Sequence, residues 1–227
     1  MRWLNMSVAV AVAVTLAGTA ACAKAPSSPS SAGPCAVVKT TNVAVPMRDG
    51  IVLRADVYRP ATAQPVPVIL MRTQYGKEAA QVQPSRYQRP DWFASHCYLV
   101  VVQDIRGQFA SAGTFSEFAD DRNDGYDSVE WAAKLPGSSG KVGMYGSSHV
   151  GVTQWMAAET APPHLATIVP ANTASDYYDG WTYENGAFRL NFIEPWAMDT
   201  IVLSAAKNRG DANVVQQLTY DARDIAG

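Results

Sequence analysis

The feature that most limits the folds open to this chain is a series of short apolar runs set far apart. Val66-Pro67-Val68-Ile69-Leu70-Met71 and Tyr98-Leu99-Val100-Val101-Val102 are apolar on both alternating faces, the pattern of central strands covered on each side. Residues 142–145 and 165–169 are further short buried strands. Helical stretches separate these runs. One lies around residues 87–95, and a second spans 124–134 with Tyr126, Val129 and Ala133 on one face. A third starts at about Val150 and continues through Val152, Gln154, Trp155 and Met156. Ahead of all of them, residues 41–47 and 51–58 are β-rich and joined by Arg48-Asp49-Gly50, which predicts a hairpin. A hairpin followed by strands alternating with helices predicts an α/β fold, a mostly parallel sheet with an antiparallel edge. Sheets of this kind bind ligands beyond the carboxyl ends of their strands.

The loops leaving those ends carry distinctive sequences: Arg72-Thr73-Gln74-Tyr75-Gly76-Lys77, Gln103-Asp104-Ile105-Arg106-Gly107, and Gly146-Ser147-Ser148-His149-Val150-Gly151. The last reads as strand, sharp turn and helix, a layout that holds a serine hydroxyl clear of the backbone. Gly146 and Gly151 flank Ser148 where so tight a turn leaves little space for a Cβ. Ser148 is therefore the candidate nucleophile. The same residues also suit a plain loop with a helix cap, and it is the neighbouring loops that favour catalysis. The backbone N–H of His149 opens the following helix, where N–H groups lack intrahelical partners and the dipole favours negative charge. That makes it a candidate oxyanion donor. Asp104 and Arg106 are expected to brace the backbone through charged hydrogen bonds. Asp120, Asp121 and Asp124 read as a solvated helix start.

The sequence has 227 residues, a formal net charge of -2 and 48% hydrophobic residues, room for one well-cored domain and an appendage. With no basic run, nucleic acid is not the expected partner. Residues 1–21 have the form of a signal peptide: Arg2, an apolar run over residues 8–16, then small residues. Thr19-Ala20-Ala21-Cys22 resembles a lipobox with Cys22 as the lipidated residue, and ordinary cleavage after Ala21 or Ala23 fits as well. The protein is thus expected to be exported: secreted, periplasmic, or held at a membrane surface by a lipid anchor. Residues 22–36 form a Pro/Ser/Ala-rich linker, residues 37–171 the core, and residues 172–227 a further segment. Cys35 and Cys97 would remain after processing, either as a disulfide or as buried thiols.

In order along the chain, Met47-Arg48-Asp49-Gly50, the strand leading to Tyr75, the loop from Gln103 to Ser111 and Gly113, and the stretch from Gly143 to Trp155 resemble the amino-terminal part of the cocaine esterase and X-Pro dipeptidyl-peptidase family of α/β-hydrolases. The resemblance covers about residues 40–200. It implies hydrolysis of a small ester, amide or short peptide through an acyl-Ser148 intermediate, with no cofactor and no metal. It also implies Tyr75 as the second oxyanion donor, through its hydroxyl. The residue after the serine is most often tyrosine in that family, and here it is His149. The family's acid and histidine lie downstream of a helical cap, and a β-sandwich follows them. Residues 172–227 are expected to be the start of that cap, which would leave the hydrolase core incomplete and dependent on a missing carboxyl-terminal half. Trp181, Tyr183 and Phe188 are candidate pocket walls within it. Asn185-Gly186-Ala187-Phe188-Arg189 resembles a cap stretch of the related α-amino acid ester hydrolases, which hold a substrate amine with clustered acids.

The base is the difficulty. Of three histidines, His96 and His164 precede strands and so lie at the wrong edge of the sheet, and the His149 side chain should point away from the hydroxyl. Two readings follow: a serine hydrolase represented by its amino-terminal part and nearly inactive alone, or a truncated, non-catalytic or binding-only protein of the same family.

Overall fold

The computed structural model describes residues 35–82 and 88–225. The expected signal peptide, Cys22, most of the linker and the start of the helix placed around Tyr87 lie outside the described residues.

Alternating strands and helices build one sheet. The strands are β1 (Val37–Pro46), β2 (Val52–Pro60) and β3 (Val66–Thr73), followed by the short helices α1 (Ala79–Val82) and α2 (Pro90–Ser95). Then come β4 (Leu99–Asp104), α3 (Asp121–Ala133), β5 (Ser138–Ser147), α4 (His149–Glu159) and β6 (Leu165–Ala171). The sheet order is β1-β2-β4-β3-β5-β6. β2 pairs antiparallel with β1 and β4, and the β4-β3-β5-β6 part is parallel. The hairpin therefore supplies the antiparallel edge, as its Asp49-Gly50 turn predicts. The apolar runs alternate across the sheet as the pleat requires. Val68, Leu70, Val101, Val142 and Met144 pack with Val129 and Ala132 of α3 and Ala157 of α4 on one face. Met71, Val100 and Val102 pack on the other face with Ala94 of α2. Cys35 and Cys97 are joined in a disulfide that ties the start of β1 to the turn before β4.

Two expectations are corrected. β6 was expected to be a buried strand, yet Val169 is 58% exposed, because β6 pairs only with β5 among the described residues. Its apolar run marks a capacity for burial, and which neighbours use it is a tertiary matter. Of the three acids at the start of α3 only Asp120 is partly exposed, and Asp121 and Asp124 are buried rather than solvated. The guanidinium of Arg72, fully buried on β3, reaches both, with Nη1 3.2 Å from Asp121 Oδ1 and Nη2 3.9 Å from Asp124 Oδ2. An unpaired buried arginine would be strongly destabilising, so the acids are drawn inward to meet it. This also starts α3 at Asp121, nearly one turn before the predicted 124.

Beyond β6 the chain forms a small hairpin, β7 (Tyr183–Glu184) and β8 (Ala187–Phe188), and then helices. These are α5 (Leu190–Trp196), a π-helical stretch (Ala197–Val202), α6 (Leu203–Arg209) and α7 (Ala212–Ile225). Pro195 lies inside α5, where it has no N–H to give the ladder, and the helix widens just after it. α6 ends at Gly210, whose φ of 70° is the left-handed cap that glycine adopts freely.

Candidate active site

β5 runs directly into α4, and Ser148 is the single residue between them. It has φ 61° and ψ -130°, a backbone state that costs a non-glycine residue about 1–3 kcal/mol and so persists only where its surroundings enforce it. The surroundings are tight. A Cβ on Gly146 would lie 2.2 Å from Val150 Cγ1, and one on Gly151 would lie 2.6 Å from Thr173 Cγ2. The Ser148 N–H donates to Ala171 O at 2.9 Å, tying the turn to the end of β6. Buried Gln154 fastens the rest: its Nε2 donates to Gly146 O at 3.1 Å, and its Oε1 accepts from the Val169 N–H at 2.9 Å. Strand, turn, helix and neighbouring strand are locked together beneath one serine hydroxyl.

Tyr75 reaches that hydroxyl from the loop after β3. Its Oη is 3.4 Å from Ser148 Oγ. The loop is held by its neighbour: Asp104, at the end of β4, accepts from the Lys77 N–H at 2.7 Å, Lys77 Nζ at 3.0 Å and the Ala110 N–H at 3.4 Å. Burial pushes the Asp104 carboxyl pKa up, and the three donors that converge on it oppose that shift. Burial lowers the Lys77 pKa, but its bond to Asp104 together with the charges of Asp104, Glu78 and Asp56 outweighs this, and the net shift is upward. Arg106 completes the brace, with Nη2 2.6 Å from Asp124 Oδ1 and Nη1 2.8 Å from Asp49 Oδ2, so that the β4 loop, α3 and the hairpin turn are joined. Asp104 thus braces the backbone as expected, whereas Arg106 makes its charged hydrogen bonds to the Asp124 and Asp49 side chains.

His149 is the first residue of α4, and its N–H has no intrahelical acceptor. Its imidazole is buried and is turned toward the loop before α3. Nε2 lies 3.0 Å from Glu117 Oε1, an ion-pair distance that is off the line of a hydrogen bond. The ring stacks on Phe118 at 5.8 Å and 15°, and meets the Tyr75 ring edge-on at 6.3 Å and 78°. Phe118 in turn touches Tyr177 at 5.0 Å, Tyr177 touches Trp181 at 5.7 Å, and Trp181 touches Phe192 at 5.0 Å and Trp196 at 6.0 Å. Burial and the nearby Glu117 charge raise the Tyr177 pKa, against the opposing bond to Thr173.

Of the candidate pocket residues, the structure links only Trp181 to this aromatic row. Tyr183 and Phe188 face each other across the β7–β8 hairpin and group with Tyr178 instead. His96 and His164 stand just before β4 and β6, where His96 Nδ1 is 2.8 Å from Trp92 O and His164 Nδ1 is 2.8 Å from Glu130 Oε2. None of the three histidines of the sequence hydrogen-bonds to Ser148 Oγ. Glu117 and Phe118 were not anticipated. No spacing connects them to His149, and a lone acid between aromatic residues, Phe115-Ser116-Glu117-Phe118, was the one available signal.

The chain that carries this site matches a known group of proteins along most of its length. Residues 49–224 fit the family model of X-Pro dipeptidyl-peptidase, the S15 family. The chain belongs to that family. It is 38% identical over 194 residues to a cocaine esterase of Rhodococcus sp. (strain MB1 Bresler), covering 82% of this chain and 33% of the esterase. A solved CocE/NonD family hydrolase from Staphylococcus aureus superposes with a TM-score of 0.68 at 27% identity, over 81% of this chain and 36% of that one. A solved α-amino acid ester hydrolase gives 0.62 at 27% identity, over 83% and 33%. The fold is that of the α/β-hydrolases, and the family is one of hydrolases. The chain spans about a third of the length of these relatives.

Proposed function

We propose that Ser148 is the nucleophile of an acyl-transfer site acting on a small ester, an amide or a short peptide. The reading is carried by one observation: Tyr75 Oη stands 3.4 Å from a serine Oγ held on a strained elbow. Oγ attacks the acyl carbon, and the carbonyl oxygen becomes an oxyanion that accepts from the His149 N–H and the Tyr75 hydroxyl. The serine proton passes through a base to the leaving group as the acyl-Ser148 bond forms, and water then releases the acid. Each oxyanion donor at such a site contributes on the order of 10²–10³ in rate.

We infer that the base is none of the chain's own histidines, since none hydrogen-bonds to Ser148 Oγ. We infer that it comes from outside these 227 residues, and that the chain alone turns over esters at about 10⁻⁶ of the rate of a complete triad. Export is part of the same proposal. The Arg2 and residue 8–16 pattern supports it, and a Cys35–Cys97 disulfide suits an oxidising compartment. Cys22 would then be the lipid anchor, or be lost with the leader.

The test is labelling by a fluorophosphonate probe, read by intact mass, with and without added imidazole as a surrogate base. Slow labelling that imidazole accelerates and Ser148→Ala abolishes is the expected result. Equal labelling of Ser148→Ala would overturn the assignment of the nucleophile, and rapid ester turnover without imidazole would overturn the missing base. The absence of a histidine at Ser148 also favours a second reading, a family member that binds without turnover. A chain that stays unlabelled even in imidazole would support that one.

A further inference from the structure

The chain buries an acid–imidazole pair beside the proposed oxyanion site, and neither nitrogen nor either oxygen is used well. His149 Nδ1 and Nε2 and both Glu117 oxygens are buried with no aligned hydrogen-bond partner among the described residues, although Nε2 and Oε1 are only 3.0 Å apart. A buried polar group left in this state costs about 1–3 kcal/mol, so stability does not account for the arrangement. Its place in the fold does. The imidazole is carried by the residue whose N–H would face the oxyanion, and its ring edge meets the ring of Tyr75, which carries the other donor. On the far side it is backed by Phe118, next in sequence to Glu117. The ring touches the ring of one donor and belongs to the residue of the other, with the Glu117 carboxylate and the Phe118 face against it.

We infer that Glu117 and His149 are a positioning pair that sets the geometry of both oxyanion donors, the His149 N–H and the Tyr75 hydroxyl. The inference rests on the acyl-transfer reading for its purpose, though not for its physical content. Glu117 reaches no reacting atom; it acts through the imidazole. Moving that ring displaces the Tyr75 ring edge and loosens the first turn of α4 together. Because each donor must sit about 2.7–3.1 Å from the developing charge, small displacements are costly.

Two measurements test this. The first needs no activity: 3-fluorotyrosine is placed at position 75 and its ¹⁹F resonance compared between the unaltered pair and Glu117→Gln, an isosteric change that removes the charge. A shifted or broadened line at unchanged melting temperature is expected. His149→Gln is the second variant, since it removes the ring touching Tyr75 while Glu117 stays, and it must move the same line. An unchanged line in either folded variant overturns the inference. The second measurement is the concentration dependence of fluorophosphonate labelling in imidazole. Glu117→Gln should lower the maximal rate constant about tenfold, a fraction of the loss on deleting a donor, and leave the half-saturating concentration unchanged. In a Tyr75→Phe background its effect should shrink. A fall in affinity with the rate constant intact, or full additivity, would refute the pair's role. If Ser148 is never labelled, the hydrolase reading fails, and the ¹⁹F comparison still decides the pair.

Discussion

Replacing Gly146 with alanine strains the elbow where it is tightest. An ideal Cβ there lies 2.2 Å from Val150 Cγ1 and 2.8 Å from Val150 Cβ, and the residue's φ is +140°. Carbon atoms settle at about 3.5–4.0 Å, so Val150 would have to withdraw by more than about 1 Å. It has nowhere to go, being fully buried in the first turn of α4. Forcing a side chain into a sparsely populated backbone region costs about 1–3 kcal/mol, and overfilling a packed site costs a similar amount. Together these predict a loss of about 2–6 kcal/mol, comparable with the whole stability of many domains. Urea unfolding followed by tryptophan fluorescence reads the loss directly. Gly146→Ala combined with Val150→Ala should recover part of it, because the Cγ1 clash is gone while the backbone strain stays. A single variant within about 1 kcal/mol of the parent would refute the argument that the elbow's glycine is required by close approach and backbone strain, since either effect alone costs at least that much. Strictly additive losses in the double variant would refute the clash with Val150.

Other changes probe the supports around the site. Removing the Cys35–Cys97 bond, with its separation of 62 residues, should destabilise the chain by about 4 kcal/mol on the loop-entropy model, and melting with and without reductant checks it. Arg72→Met leaves Asp121 facing an apolar chain while Asp124 keeps Arg106, and a loss of about 3–5 kcal/mol is expected in the same urea assay. The Tyr177 phenol, raised by burial and by the Glu117 charge, should ionise above the ordinary range near pH 10 in a difference titration against Tyr177→Phe. Its contribution to stability is present below that range and is lost as pH rises through the folded value. Glu117→Gln should bring the ionisation down, and an unmoved titration would deny the coupling.

Much of the frame was legible because the forces that shape it are local. The Asp49-Gly50 hairpin, the doubly apolar strands and the Gly146 to Gly151 elbow each announce themselves within about ten residues, through turn sterics and the two-residue period of a strand. Relatedness along the chain added Tyr75, which the structure places beside Ser148. What stayed illegible depends on which elements become neighbours. Arg72 turned an apparently solvated acidic helix start into a buried ion-pair site across 49 residues, from Arg72 to Asp121. The aromatic residues after β6 look alike in sequence, yet Trp181 joins the row leading to His149 while Tyr183 and Phe188 face each other on a separate hairpin. The apolar run of β6 could not reveal that it would stand at an edge.

The sequence by itself determined that this chain carries a serine on a strand–helix turn and where its three histidines fall along the chain. Turn sterics are local, and the three histidines can each be placed by the strand or helix beside them. Only the tertiary structure decided how that serine is surrounded: the 3.4 Å approach of the Tyr75 phenol, the clamp of Asp104 on Lys77, and the Glu117 and Phe118 backing of His149. These contacts join segments far apart in the chain, and burial rather than spacing selects them.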